Sequence, residues 1–175
     1  MLSGEEIINA IKNGGIEIKP FEEKNVNPNS YNLTLGDELL VYTDDVLDCK
    51  KENKTKTIKI PDEGYILVPN TFYLASSNES IASDIYVPQI SGRSSVGRIG
   101  LSVHMCACSG SVGYKGRWTF QITCVTPTRV FKGMEIGQIY FFPLIGSNGI
   151  KYKGHYNNSK KKIKTSKIYK EFEKE

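Results

Sequence analysis

The 175-residue chain is 39% apolar and 24% charged, which excludes a disordered or collagen-like protein and suits one domain with a sizeable core, residues 1–175. Its formal charge of +4 is too small to imply a nucleic-acid partner. No apolar run approaches the roughly 20 residues of a membrane span, and the N-terminus has neither a basic n-region nor an apolar h-region, so a cytoplasmic protein with reduced thiols is expected.

Leu2-Ser3-Gly4-Glu5-Glu6 opens the chain with a capping-box pattern: Ser3 at the N-cap and Glu6 three residues on. Ile7, Ile8 and Ile11 add an apolar stripe at helical spacing, and Gly14-Gly15 stops it, so a helix is predicted at about Ser3 to Lys12. Ile16 to Ile18 alternates as a short strand. Asn27-Pro28-Asn29-Ser30 is turn chemistry. Tyr31 to Leu35 alternates again, with Gly36-Asp37 read as its break and Leu39 to Tyr42 as the next strand. Residues 50–56 form a charge-rich loop. Further strands are predicted at Thr57 to Pro61, Tyr65 to Val68 and Phe72 to Ala75, the last two around a Pro69-Asn70 turn. Short strands at such even spacing predict an all-β barrel or sandwich.

After a β-rich segment, Ile85 to Ile90, comes Gly92 to Leu101, which holds two Arg, two Ser and three Gly and no acid. Hydroxyls, guanidinium groups and exposed backbone N–H groups bind phosphate oxygens, and glycine lets the backbone approach a ligand closely. The stretch reads either as a phosphate-binding loop or as a basic surface turn. Cys106 and Cys108 would share a face of a strand. With Cys49 and Cys124 they make four thiols, read as buried or semi-buried, and only His104 and His155 could join them. The spacing is not that of a structural zinc site, so no metal ligand is assigned. Gly and Ser crowd the turn at residues 109–116. Strands follow at Trp118 to Thr123, between Pro127 and Lys132, and at Ile136 to Leu144. Residues 151–175 form a basic tail, with nine lysines among Tyr152, Tyr156, Tyr169 and Phe172. Solvated or subunit-packing tail, nucleic-acid arm and polyphosphate flap all suit that composition.

Three motifs carry a resemblance: Ser94-Ser95-Val96-Gly97-Arg98, Gly113-Tyr114-Lys115-Gly116, and Gly133-Met134-Glu135-Ile136-Gly137-Gln138. With Asn27 to Gly36 and with Tyr152 to Tyr156 and Ser166 to Tyr169 of the tail, they are collinear with the dCTP deaminase branch of the dUTPase superfamily. The resemblance implies a mostly β, distorted barrel or jelly-roll subunit with a short N-terminal helix, in a homotrimer. It implies sites between subunits that take a pyrimidine deoxynucleoside triphosphate with Mg²⁺ on its phosphates and no zinc. Nucleotide contacts are expected from Arg93, Ser94, Ser95, Gly97, Arg98, Ser111 and Tyr114, and from Tyr152, His155, Tyr156 and Ser159 of a tail that covers the site.

In this family a Glu takes a proton from water and delivers one to the pyrimidine, while a Ser, an Arg and a backbone carbonyl position the water. The resemblance places these roles at Ser94, Arg98 and Ala107, and the Glu position falls on Gln121. An amide cannot accept and return a proton as a carboxylate does. Ser111 stands where hydrolysing relatives carry Asp, and His155 and Ser159 stand where a Lys and a Gln are usual. His155 is the one nearby group expected to titrate near neutrality. Three functions follow: a dCTP deaminase making dUTP and ammonia, a non-catalytic trimer that senses or sequesters a nucleotide, or a dUTPase-like hydrolase. A plain inward-facing polar residue on a barrel strand is the bland reading of Gln121.

Overall fold

The structure, a computed structural model, describes residues 1–147, 149–159 and 162–173. Lys160, Lys161 and Lys174 of the basic tail lie outside the described residues.

Helix α1, Gly4–Lys12, forms where the capping pattern predicts it: Ser3 Oγ accepts from the N–H of Glu6 at 3.2 Å, satisfying one of the free donors of the first turn. Glu5 and Glu6 sit at its positive end and Lys12 at its negative end. The reciprocal half of the capping box is not made, because the Glu6 carboxylate accepts from Asn9 instead. Ile7 and Ala10 turn inward, and Gly14, at φ +73°, ends the helix.

Strands follow as β1 (Ile16–Lys19), β2 (Val26–Asn27), β3 (Ser30–Tyr42), β4 (Thr55–Lys59), β5 (Tyr65–Leu67), β6 (Tyr73–Ser83) and β7 (Tyr86–Gly92). A helical turn, α2 (Ser94–Gly97), separates β7 from β8 (Leu101–Ser102), and β9 (Lys115–Cys124), β10 (Thr128–Val130) and β11 (Glu135–Pro143) complete the set. The main sheet runs β7-β11-β3-β6-β9-β8, with β1 on β6 and both β2 and β4 on β3, while β5 and β10 pair apart. It curls into a mostly β, nearly closed barrel around Tyr31, Leu33, Tyr73, Phe120 and Phe141, all fully or almost fully buried. Each such side chain contributes roughly 1.5–3 kcal/mol on leaving water.

Two expectations are corrected, and the open reading of the tail is narrowed. Gly36-Asp37 does not break a strand: β3 runs through it with a shift of register between Leu35 and Leu39. A Cβ on Gly36 would stand 2.8 Å from Ser76 Oγ and 3.0 Å from Ser76 O, so the close approach of β6 explains the glycine. No strand forms at Cys106 and Cys108: β8 ends at Ser102, and residues 103–114 form a loop pinned to β7 by the Ile90 N–H to Cys108 O bond and the Gly110 N–H to Pro88 O bond. Cys106 and Cys108 are therefore exposed, as is Cys49, and only Cys124 is buried. The described part of the tail is docked rather than solvated. Asn157 accepts from the N–H of Lys115 and donates to Gly113 O, Tyr152 N–H donates to Val112 O, and Ile163 and Lys164 are buried.

Candidate functional site

A cavity of about 550 Å³ opens where β9, the 103–114 loop and the docked tail meet. Gln121 stands in its wall. On β9 alternate residues face opposite ways: Trp118, Phe120 and Ile122 are buried, and Thr119 and Gln121 share the other face. The Gln121 backbone N–H donates to Val103 O at 3.1 Å. Its side-chain Oε1 accepts from the N–H of Met105 at 3.3 Å and of Cys106 at 3.4 Å. Two backbone donors on one atom fix the amide's orientation, since a flipped amide would set its NH₂ against them. The next residue, Ala107, is held at φ 53°, a left-handed conformation that costs a non-glycine residue roughly 1 kcal/mol or more. So β9, through one amide oxygen, anchors a strained loop at the cavity.

Ser111 and Tyr114 line the same cavity. The Tyr114 ring stands edge-on to Trp118 at 5.6 Å and to Tyr152 at 6.0 Å, and its hydroxyl donates to Arg117 O at 2.7 Å. Burial raises the Tyr114 pKa, so the phenol stays neutral. The tail supplies Tyr152, Tyr156 and Lys164. Tyr156 is braced by the N–H of Lys167, which reaches its hydroxyl at 2.9 Å. The structure thus brings together Ala107, Ser111, Tyr114, Gln121, Tyr152 and Tyr156.

The remaining expected residues lie elsewhere. Ser94, Ser95 and Arg98 are exposed on α2 and just after it, and Arg93 and Gly97 border a separate shallow groove of about 330 Å³. The Arg93 guanidinium is already engaged, 2.8 Å from the Glu135 carboxylate. His155 is exposed on the tail and Ser159 lies outside the cavity lining. His155 is therefore not beside Gln121: the histidine that borders the cavity is His104, and the Cys106 thiol reaches Gln121 Oε1 at 3.9 Å. His104 borders both the cavity and the groove, and its two buried ring nitrogens have no hydrogen-bond partner among the described residues. Sequence reasoning also missed Trp118 and Lys164, because their role depends on how the tail docks. Residues of the acidic, His and Cys types do not gather in groups of three or more that could hold a metal, among the described residues. No described helix is long and apolar enough to cross a membrane.

A family model described as dCTP deaminase-like matches residues 1–144. The chain is similar to a protein of Clostridium beijerinckii named "dCTP deaminase, dUMP-forming", 48% identical over 174 residues and covering 99% of both chains. A protein of that name from Clostridium acetobutylicum is 49% identical over 173 residues, 98% of each chain, and one from Leptospira biflexa is 42% identical over 174 residues, 99% of each. Among solved structures, the 2'-deoxycytidine 5'-triphosphate deaminase of Agrobacterium tumefaciens superposes with a TM-score of 0.64 at 18% identity. That likeness covers 80% of this chain and 46% of the other and bears on the fold alone. The relatives' names specify dUMP as product, where the motif resemblance pointed to dUTP.

Proposed function

Because the chain belongs to the dCTP deaminase-like family, we propose that it binds a pyrimidine deoxynucleoside triphosphate in the Gln121 cavity. On this reading residues 1–175 act as one nucleotide-binding unit, and the tail from residue 151 covers the site. The observation that carries the reading is that one cavity joins Gln121, Ala107, Ser111 and Tyr114 to the tail aromatics Tyr152 and Tyr156.

Deamination adds a water oxygen to C4 of cytosine, moves a proton to N3, and expels the C4 amino group as ammonia. The water must lose a proton as it attacks. A carboxylate at position 121 would take that proton and return it; the amide of Gln121 does neither. The Ala107 carbonyl, set by its left-handed backbone, orients the water. Ser94 and Arg98 lie outside this cavity, so they serve it from a neighbouring copy of the chain, in a homotrimer with shared sites. Their exposed hydroxyl and guanidinium suit such a reach. Mg²⁺ enters on the triphosphate oxygens, which also supplies charge neutralisation there.

The relatives' product, dUMP, requires cleavage of a phosphoanhydride after deamination, and Ser111 offers a hydroxyl where that hydrolysis would use a carboxylate. With no ionisable group at 121 or 111, the reading favoured is nucleotide binding with slow or no turnover. The second reading, an active deaminase, is favoured by His104, whose unpartnered imidazole borders the same cavity. Calorimetry with dCTP and Mg²⁺, run beside an ammonia-release assay, tests both: binding with little ammonia supports the first reading, and brisk turnover supports the second.

A further inference from the structure

Two side chains that line the cavity, Gln121 and Lys164, have N–H groups left to offer a ligand. The Gln121 Oε1 is occupied by two backbone N–H groups, so its NH₂ end is what the side chain has left to offer. The backbone N–H of Lys164 is satisfied by Thr119 Oγ1 at 3.2 Å, which seats the lysine across the face of β9 that carries Gln121. Its ammonium donates to the Tyr114 hydroxyl at 2.5 Å and to Arg117 O, which leaves one N–H unspent. The ammonium also lies 5.1 Å from the centre of the Tyr114 ring.

Lys164 is 7% exposed, yet its partners are a hydroxyl and a carbonyl, not a carboxylate. A buried cation held by neutral groups alone is costly. It is offset best by a ligand atom carrying partial negative charge. Burial holds its pKa at about 8, with Lys167 adding repulsion, so the ammonium form dominates at neutral pH. The Tyr114 phenol beside it stays neutral.

We propose that this cavity selects a 4-oxo-pyrimidine deoxynucleotide over its 4-amino counterpart, with Lys164 as the residue that sets the preference. The proposal rests on the nucleotide-pocket reading above. Uracil and cytosine differ at C4 and N3: uracil presents an oxygen acceptor at C4 where cytosine presents an amino donor. Against a wall of Lys164 and the Gln121 NH₂, the oxygen gains a hydrogen bond and the amino group meets donors. An imperfectly paired group in a half-dry site costs more than the missing bond alone. The Tyr114 ring, 5.1 Å from the Lys164 ammonium, favours a base over a triphosphate here, since several charges would need desolvation beside it.

The test is calorimetric titration of the unmodified protein and of Lys164→Met with dUTP and with dCTP, each with Mg²⁺. The unmodified protein should bind dUTP about tenfold or more tightly than dCTP, the scale of one hydrogen bond to a charged group. In Lys164→Met that ratio should fall to near one, mainly through loss of dUTP affinity. Equal affinities in the unmodified protein, or a preference for dCTP, would overturn the proposal whether or not the variant folds. An equal loss for both nucleotides in Lys164→Met would overturn it too, and would assign the lysine to tail docking or to the phosphates. Binding of neither nucleotide by the unmodified protein would sink the pocket reading itself, a result distinct from binding without selectivity.

Discussion

Gln121→Glu should create dCTP deaminase activity that the unmodified chain lacks or nearly lacks. The change replaces one NH₂ by an oxygen, so side-chain volume and the contact made by Oε1 are kept. The N–H groups of Met105 and Cys106, at 3.3 and 3.4 Å, would then donate to a carboxylate. Such bonds favour the ionised form, which is the form that accepts a proton from water. One positioned acid/base group is worth roughly 10²–10⁴-fold in rate, or about 3–5 kcal/mol of barrier at 1.36 kcal/mol per decade. The gain should appear in kcat, with KM for dCTP unchanged or lower, because the carboxylate also accepts from the 4-amino group. Ser111 leaves the later hydrolysis without a carboxylate, so dUTP rather than dUMP should accumulate. The assay is ammonia release from dCTP with Mg²⁺, with the nucleotide products separated. Turnover by the unmodified chain within about threefold of the variant would refute the argument. The base would then be sought first at His104, by His104→Ala.

Arg98→Ala and Ser94→Ala should each weaken binding of a pyrimidine deoxynucleoside triphosphate by about tenfold or more, the range of one hydrogen bond to a charged group; titrations that match the unmodified protein would make the loop a surface turn. Light scattering at micromolar concentration should give a trimer of the 19.6 kDa chain, and a monomeric mass would remove the shared-site explanation for why Ser94 and Arg98 stand outside the cavity. Folding stability should rise with pH between about 8 and 9.5 through Lys164. Its pKa is held at about 8 against an ordinary 10.5, so in that window the unfolded chain binds more protons than the folded one. Below pH 8 both states are protonated and the contribution is flat. Melting curves should show this slope, and Lys164→Met should lose it; an unchanged slope in the variant would assign it to other groups.

Much of this architecture was legible from local sequence because its causes are local. Ser3 before Glu6, and an isoleucine stripe before Gly14, specify a helix through contacts a few residues long. Alternation located β1 and β9 for the same reason, flanking turn residues marked β5 and β10, and an apolar run marked β11. What escaped depends on contacts distant in sequence. Gly36 looked like a stop because glycine usually is one, and only the approach of Ser76 on β6 reveals it as a crossing point inside β3. Cys106 and Cys108 would have shared a face on a strand, but they lie in a loop held by β7 and by the Gln121 side chain. Ala107, Ser111, Tyr114 and Gln121 were found through motif spacing. Lys164 was not, since nothing in a run of tail lysines marks which one is buried, and Lys162, two residues away, pairs with Asp37 at 3.0 Å.

A dual role for residue 121 would let such a site keep its shape without its chemistry. Its side chain has a structural task, to accept from two consecutive N–H groups and so hold the loop that bears Ala107 in a left-handed conformation. An amide oxygen does that nearly as well as a carboxylate oxygen, because both present lone pairs at the same reach. Its chemical task, accepting and returning a proton, is closed to the amide. A Glu-to-Gln exchange here therefore costs the fold little and the reaction a great deal. On the proposal above, the buried cation at Lys164 tips the wall further in one direction: no carboxylate among the described residues pairs with it, and the cavity would suit an oxo group at C4 better than an amino group. The loop, the ring contacts of Tyr114 and the tail contacts, alongside the amide and the lysine, support the proposed nucleotide-holding site.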